Sequence, residues 1–225
     1  MPLLAILLLT LNLQTPDVIE RADRLFSYGE NKTRDREALG ILEIAANTNS
    51  SDYQLLWRAA RAAYYTGNYE KAIANAESAV RIDRKRPEGH FWLGAGYGGL
   101  AEQRGMFKAL SLIGKVRSEM ETVVRISPGY EDARGYLALC ELDRQLPWLL
   151  GGNTKRAVGY CEQGVKLAPA NLELKLALAR AYEEVGRRAD ARKQIEELLA
   201  LPVNPMRATS DRGVKEEARR LAPKL

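Results

Sequence analysis

Small apolar residues recur at helical spacing on both sides of one tight turn. They fall three or four positions apart, as Leu56, Ala59, Ala60 and Ala63 before the turn and as Ala72, Ala76 and Ala79 after it. This spacing puts each group on one face of an α-helix, and Gly67 supplies the turn between the helices. Alanine at facing positions lets two antiparallel helices approach closely. The segment therefore predicts a helical hairpin that needs neighbouring hairpins to bury its apolar face.

The same offsets return near the C-terminus. The second clean copy consists of Lys175, Leu178, Ala179, Tyr182, Gly186, Ala191, Ile195 and Leu198, and Pro202 closes it. The offsets match the tetratricopeptide repeat, whose period is about 34 residues.

Two central units keep this register but carry extra residues at the same place. In the first, residues 90–97 open a helix whose partner ends at Ser127-Pro128, and the link between them is about ten residues too long for the repeat. In the second, residues 133–140 lead to residues 157–169 across the segment Leu146-Pro147-Trp148-Leu149-Leu150-Gly151-Gly152. The sequence thus predicts insertions in both central repeats.

A degenerate unit precedes these repeats and a single helix follows them. The first contains Val18, Ala22, Leu25 and Gly29, then Leu39, Leu42 and Ala45, and the last spans residues 211–221. We expect an all-α fold, a right-handed solenoid of tetratricopeptide-like hairpins over residues 15–225. Its about four and a half hairpins would end in a C-terminal capping helix.

Residues 1–14 form an apolar leader. The run from Leu3 to Leu13 is uncharged and shorter than the about 20 residues that span a bilayer, and its length suits the apolar region of a signal peptide. This favours export, most simply to the periplasm. No cysteine is present there to carry a lipid anchor. The alternative is an apolar helix packed on the first repeat of a cytoplasmic protein.

Composition limits the chemistry this chain can perform. It has one His and two Cys, and His90, Cys140 and Cys161 do not fall at metal-ligand spacing. We therefore expect no metal and no enzymatic activity. The pattern Gly94-x-Gly96-x-x-Gly99 lies inside a predicted helix and follows no strand, so no nucleotide cofactor is expected. The net charge of +5 is spread over separate units and interleaved with Glu, which predicts no nucleic-acid partner.

Cys140 and Cys161 occupy facing core positions of one repeat. Two interpretations stay open: a disulfide if the protein is exported, or two small buried residues without a bond.

The concave surface is where a solenoid of this kind binds its partners. Exposed positions on the first helix of each hairpin, together with aromatic neighbours and the inserted segment, give the candidate binding residues Trp57, Arg61, Tyr64, Tyr65, Phe91, Trp92, Tyr97, Arg134, Trp148 and Arg180. Aromatic rings offer apolar area and Arg offers a fork for a carboxylate. An amphipathic or anionic guest is therefore predicted; ordinary packing is the alternative.

Several segments together resemble the T component associated with TRAP transporters. They are Phe91-Trp92-Leu93-Gly94 with Tyr97-Gly98, the long helix from Lys108 to Ser127, and above all the segment Leu146-Pro147-x-Leu149-Leu150-Gly151-Gly152-Asn153. The resemblance covers residues 52–221. It implies a bacterial, extracytoplasmic, non-enzymatic protein. Its partner would be the periplasmic solute-binding subunit of an importer of organic acids or other hydrophobic ligands. Members are often lipoproteins, and this chain departs from that pattern.

A more distant resemblance, through the same inserted repeat pair, is to the regulators of microtubule dynamics. It implies a eukaryotic, cytoplasmic protein. The sequence leaves open whether the chain forms a homo-oligomer, and its alternative function is a scaffold that recognises a peptide tail in the cytoplasm.

Overall fold

The computed structural model describes residues 15–104 and 106–225 and, within the second range, the side chains from residue 110 onward. The leader expected at residues 1–14 lies outside the described residues.

Eleven α-helices and three short 3-10 helices make up the described part of the chain, and no strand occurs in it. The α-helices are α1 Thr15–Leu25, α2 Lys32–Thr48, α3 Tyr53–Tyr65, α4 Tyr69–Ile82, α5 Pro87–Arg104, α6 Met106–Ile126, α7 Tyr130–Gln145, α8 Thr154–Leu167, α9 Leu172–Glu184, α10 Arg188–Ala200 and α11 Ala208–Leu221. The 3-10 helices are Trp148–Leu150, Pro205–Arg207 and Ala222–Lys224. The all-α class is confirmed.

Side-chain caps explain where many of these helices begin. The Asn or Asp that precedes each accepts hydrogen bonds from backbone N–H groups of the first turn, which have no partner inside the helix. The capping residues are Asn31, Asp52, Asn68, Asn153 and Asn171.

Consecutive helices pack against each other along the whole described chain, which is the arrangement of a solenoid. The predicted alanine contacts are present: Ala59, Ala60 and Ala63 on α3 and Ala72, Ala76 and Ala79 on α4 are fully buried. Gly67 and Gly186 adopt positive φ angles of 79° and 80° in the equivalent turns of the two clean repeats. The helical spacing of small residues in the sequence therefore correctly predicts which side chains pack between the two helices of each clean hairpin.

The first unit of the solenoid is a complete hairpin, where the sequence indicates a degenerate one. Helices α1 and α2 form a full first unit, so that five hairpins precede α11 within the described residues. Val18 and Ala22 on α1 are buried, as are Leu39 and Leu42 on α2. The core of this unit combines larger residues with the buried alanines Ala22, Ala38 and Ala46.

The two predicted insertions take different forms. The extra residues of the first lengthen α5 and α6 to 18 and 21 residues, against 13 and 14 in the clean hairpin α3–α4. Those of the second form a connection between α7 and α8, which we call the inserted loop, residues 146–153. The cysteines flank this loop. Cys140 on α7 and Cys161 on α8 are joined by a disulfide, with 5.5 Å between their Cα atoms.

Helix α7 begins with a left-handed turn. Glu131, Asp132 and Ala133 have φ angles of 48°, 56° and 60°, and none of them is Gly. Such residues favour the right-handed region by about 1–2 kcal/mol, so surrounding contacts must hold this turn. Asn171, which caps the N-terminus of α9, donates a hydrogen bond of 2.9 Å to the Asp132 carbonyl.

The two ends of the solenoid touch. Glu30, in the turn between α1 and α2, accepts hydrogen bonds from the backbone N–H groups of Thr209 at 3.0 Å and Ser210 at 3.3 Å, in the first turn of α11. The described helices are all too short or too polar to cross a membrane.

Candidate binding groove

A cavity of about 810 Å³ lies on the concave side of the central hairpins. Helices α3, α5, α6 and α7 form most of its wall, and the inserted loop and the start of α11 close its two ends. Its lining residues are Tyr28, Tyr64, Tyr65, Phe91, Gly94, Ala95, Gly98, Gly99, Ala101, Glu102, Leu110, Ile113, Val116, Met120, Arg134, Leu137, Ala138, Glu141, Leu142, Gln145, Leu146, Pro147, Leu150, Glu173, Arg207 and Ser210. Its size is in the range of pockets for small molecules or short peptide segments.

One wall of the groove is aromatic. Tyr64 and Tyr65 stand edge to face with 5.3 Å between their ring centres, and Trp92 lies behind both at 5.7 and 5.8 Å. Burial raises the pKa of Tyr64 to about 12 and that of Tyr65 above its ordinary value. Both phenols are therefore neutral at pH 7, so this wall presents uncharged rings to a guest.

The glycines of α5 make room for the groove in two ways. A Cβ on Gly94 would lie 2.8 Å from Met120 of α6, so that the absence of a side chain there allows the two helices to pack. A Cβ on Gly98 would meet no atom within 4 Å, although Gly98 lines the cavity. Gly98 thus keeps the floor of the groove open, and the helix loses about 1 kcal/mol of propensity for it.

Arg134 is the basic group of the groove. Its Nη1 donates to the Tyr65 hydroxyl at 3.1 Å and its Nη2 to Glu173 at 3.3 Å. Its Nε is buried and has no acceptor within the described part of the chain. Burial opposes the charge, yet Glu173 and Tyr65 hold the pKa of Arg134 above its ordinary value. The cation is therefore permanent and keeps one donor unused.

The two ends of the groove differ in charge. At one end, Arg134 and Arg207 are balanced by Glu173 and Asp132. At the other, Glu102 and Glu141 line the cavity beside the inserted loop, and Glu141 pairs with Arg144 at 2.7 Å. Between them the lining is apolar, with Ile113, Val116, Met120, Leu137 and Leu142. This arrangement suits an apolar guest whose negative end lies at Arg134.

Four of the predicted binding residues line this groove: Tyr64, Tyr65, Phe91 and Arg134. Phe91 and Arg134 occupy corresponding positions of successive first helices, whereas Tyr64 and Tyr65 lie about two turns further along α3. Ala95, Gly98, Ala138 and Glu141 occupy the next positions and also line it.

The other six predicted residues lie elsewhere. Trp57 and Arg61 are both buried, and the Arg61 guanidinium pairs with Asp23 of α1 and stacks on Phe26 at 3.9 Å. The first hairpin therefore covers Arg61, on a face that the repeat register predicts to be open. Trp92 is only 1% exposed and supports the tyrosine wall from behind.

Tyr97, Arg180 and Trp148 also lie outside the lining of the groove. The Tyr97 hydroxyl donates to Glu77 of α4 at 3.0 Å, away from the groove. Arg180 pairs with Glu217 of α11, which covers the last repeat. Trp148 points out from the inserted loop and is 78% exposed.

Sequence reasoning missed the wall supplied by α6 and the inserted loop. Leu110, Ile113, Val116 and Met120 reach the groove because α6 is long, and Leu146, Pro147 and Leu150 because the loop folds back over it. The sequence indicated these walls only through the excess length of the two central repeats. No cluster of metal-binding side chains occurs among the residues that the structure describes.

Solved structures with this fold are tetratricopeptide proteins. A thermophilic TPR protein of Thermus thermophilus aligns with a TM-score of 0.70 at 22% identity, over 92% of this chain and 99% of that one. PilF of Pseudomonas aeruginosa aligns at 0.62 and 15%, over 92% and 94%. YrrB, described as a TPR protein with an unusual peptide-binding site, aligns at 0.56 and 14%, over 92% and 93%. At these identities the likeness concerns the fold.

No curated protein sequence matches the chain significantly. These comparisons support the repeat and give no support to the T component of TRAP transporters specifically. Two family models match: the tetratricopeptide repeat over residues 149–205 and, over residues 18–137 and thus more than half of the chain, the regulator of microtubule dynamics protein 1-3. This helical-repeat protein therefore belongs to the family of the regulators of microtubule dynamics 1-3.

Proposed function

We propose that this protein is a non-catalytic scaffold whose groove binds an apolar peptide segment with a carboxylate at one end. Tetratricopeptide folds are generally scaffolds that bind partner proteins or peptides. The observation that carries the proposal is Arg134, a permanent cation that lines one end of an apolar, aromatic groove. A carboxylate there would form a charge-assisted hydrogen bond, while the tyrosines and the α6 side chains would contact apolar side chains.

Fluorescent apolar pentapeptides, made with a free C-terminal carboxylate and as the amide, test this proposal. We expect the acid to bind at least about tenfold tighter than the amide, because a hydrogen bond to a charged group contributes about 1.5–3 kcal/mol. Arg134→Gln should abolish that difference. Arg180→Gln, outside the groove, is the matched control and should preserve it. Equal affinity of acid and amide for the unmodified protein would contradict the carboxylate end.

A second variant tests the apolar body of the groove separately. Gly98→Leu places a side chain in open space and leaves Arg134 unchanged, so it should weaken both peptides alike. Circular dichroism melts should show both variants folded. If Gly98→Leu binds as well as the unmodified protein, the guest lies somewhere else.

The finer proposal is that the partner is the solute-binding subunit of a TRAP-type importer, or a small amphipathic organic acid, outside the cytoplasm. Two features support export: the apolar leader and the disulfide Cys140–Cys161, since structural disulfides persist mainly in oxidising compartments. The transporter association rests on the resemblance of several sequence segments, above all the inserted one.

The name of the family favours a second candidate, a cytoplasmic scaffold acting in the regulation of microtubule dynamics. Fractionation of the source cells with immediate alkylation of thiols separates the two. Export predicts that the protein fractionates outside the cytosol, with Cys140 and Cys161 unmodified by the reagent. A cytosolic protein with both cysteines alkylated would favour the second candidate.

A further inference from the structure

The inserted loop presents apolar side chains to solvent, outside the groove. Trp148 is 78% exposed and Leu149 is 73% exposed. Their neighbours Pro147 and Leu150 turn the other way and line the groove. The loop therefore has one face that packs and one that has no partner among the described residues.

This exposure is built into a well-supported loop. Within it, the N–H groups of Leu150 and Gly152 donate to the Pro147 carbonyl at 2.9 and 3.1 Å, and Gly151 N–H donates to the Trp148 carbonyl at 3.0 Å. At its end, Asn153 N–H donates to the Asp143 carbonyl at 2.9 Å. Trp148 and Leu149 are therefore held outward by the backbone of the turn.

A buried ion cluster fixes the base of the loop. The Asp143 carboxylate, fully buried, pairs with Arg117 at 2.5 Å and with Arg156. Both arginines also donate to the Gly151 carbonyl, at 3.4 and 2.9 Å. Although burial raises the pKa of a carboxyl, the two arginines hold the pKa of Asp143 below its ordinary value. The loop thus rests on a charged support that stays ionised at neutral pH.

We propose that the inserted loop docks the protein on an anionic membrane surface, with Trp148 and Leu149 entering the interface. The exposed area of these two side chains is on the order of 300 Å², below the about 800 Å² that each partner contributes to a standard protein interface. Insertion of two side chains into a bilayer does not require a complementary protein surface. Trp prefers the boundary between headgroups and acyl chains.

The charge beside the loop fits the same occupant. Lys155 is exposed and has no ion-pair partner in the described part of the chain. Arg117 and Arg156 are paired with Asp143, and Glu141 is paired with Arg144, so Lys155 is a cation next to the loop that is left free to meet an anionic headgroup. Lys155 follows Leu149 by six positions at the start of α8, where it can reach anionic headgroups once the loop is inserted.

Tryptophan fluorescence tests the docking directly in the full chain. Trp57 and Trp92 are buried at 8% and 1% exposure, so the difference between the unmodified protein and Trp148→Phe isolates Trp148. The probe is a vesicle of phosphatidylcholine and phosphatidylserine whose phosphatidylcholine carries bromine on its acyl chains. We expect the Trp148 emission to shift to shorter wavelength and to be quenched by bromine.

A matched control places a tryptophan at another exposed apolar position. Ile44 on α2 is 72% exposed, and the tryptophan introduced by Ile44→Trp in the Trp148→Phe background should not be quenched. Lys155→Gln should weaken binding to the anionic vesicles by about fivefold. Trp148 emission that stays unquenched would overturn the proposal. Equal quenching at position 44, which indicates unspecific adsorption, would overturn it as well.

Discussion

His90, the single histidine of the sequence, ties α5 to two neighbouring elements. Its Nδ1 lies 2.6 Å from Glu119 of α6 and its Nε2 lies 3.1 Å from the Arg84 carbonyl before α5. The hydrogen bond with Glu119 raises the pKa of His90 above its ordinary value of 6.5, although burial and Arg125 oppose this. His90 thus links α5 to α6 and to the segment that precedes α5.

The raised pKa predicts how stability depends on pH. The contribution is fully present below pH 6.5 and is lost as the pH rises through the folded-state pKa, because the folded state then releases a proton that it held more tightly. Each tenfold change in the acid constant corresponds to about 1.4 kcal/mol. We expect the midpoint urea concentration of unfolding to decrease as the pH is raised from 6 through the folded-state pKa of His90. The single imidazole signal in the NMR spectrum measures that pKa. Glu119→Gln should flatten the profile; an unchanged profile would refute the assignment.

The repeat spacing in the sequence predicts some residues of the groove and not others. Phe91 and Arg134 follow from the repeat register alone, because corresponding positions of successive first helices face the same side. Trp57 and Arg61 satisfy the same register but are buried, and Arg61 is paired with Asp23 of α1. Repeat spacing gives the face of a side chain, while a neighbouring helix decides whether that face stays open.

At the scale of elements, the left-handed start of α7 is the feature that a helical pattern could not indicate. Asp132→Gly and Asp132→Ala both remove the exposed ion pair with Arg207, which contributes little to stability. The two variants differ because Gly adopts a φ angle of 56° without steric cost, whereas Ala does not. The Gly variant should therefore be more stable than the Ala variant by about 1 kcal/mol in urea unfolding. A regular right-handed helix would give the opposite order, since Gly there costs about 1 kcal/mol relative to Ala.

The two inserted segments also show a difference that the repeat pattern alone does not indicate. Both appear in the sequence as excess length, yet one extends α5 and α6 and the other forms a separate loop. Residues 99–112 contain no proline, so helix can continue to either side of residue 105, whereas Pro147 and the pair Gly151-Gly152 stop the helix and turn the chain. Local chemistry predicts this difference once the excess length is recognised.

At the scale of the whole molecule, Glu30 joins the first hairpin to the last helix. The Thr209 and Ser210 N–H groups that donate to it have no partner inside α11. The hydrogen bond from Thr209 lowers the pKa of Glu30, so the contact is present above the ordinary pKa of a glutamate and is lost as the pH falls through the lowered value. Glu30→Ala should speed hydrogen exchange at these two amides, whereas Glu37→Ala, another exposed carboxylate, should not. Unchanged exchange in Glu30→Ala would show that α11 is capped in another way.

The sequence by itself determined the helical class, the hairpin register, the turn glycines and the aromatic and basic character of the central hairpins, because these depend on spacing within about 34 residues. Only the tertiary structure decided which of those side chains meet. The closing of the groove by α6, the ion pair of Arg61 with Asp23 of α1 and the contact of Glu30 with α11 join residues that are far apart in the chain. Their positions depend on small rotations between successive hairpins, and no local pattern of residues encodes the sum of those rotations.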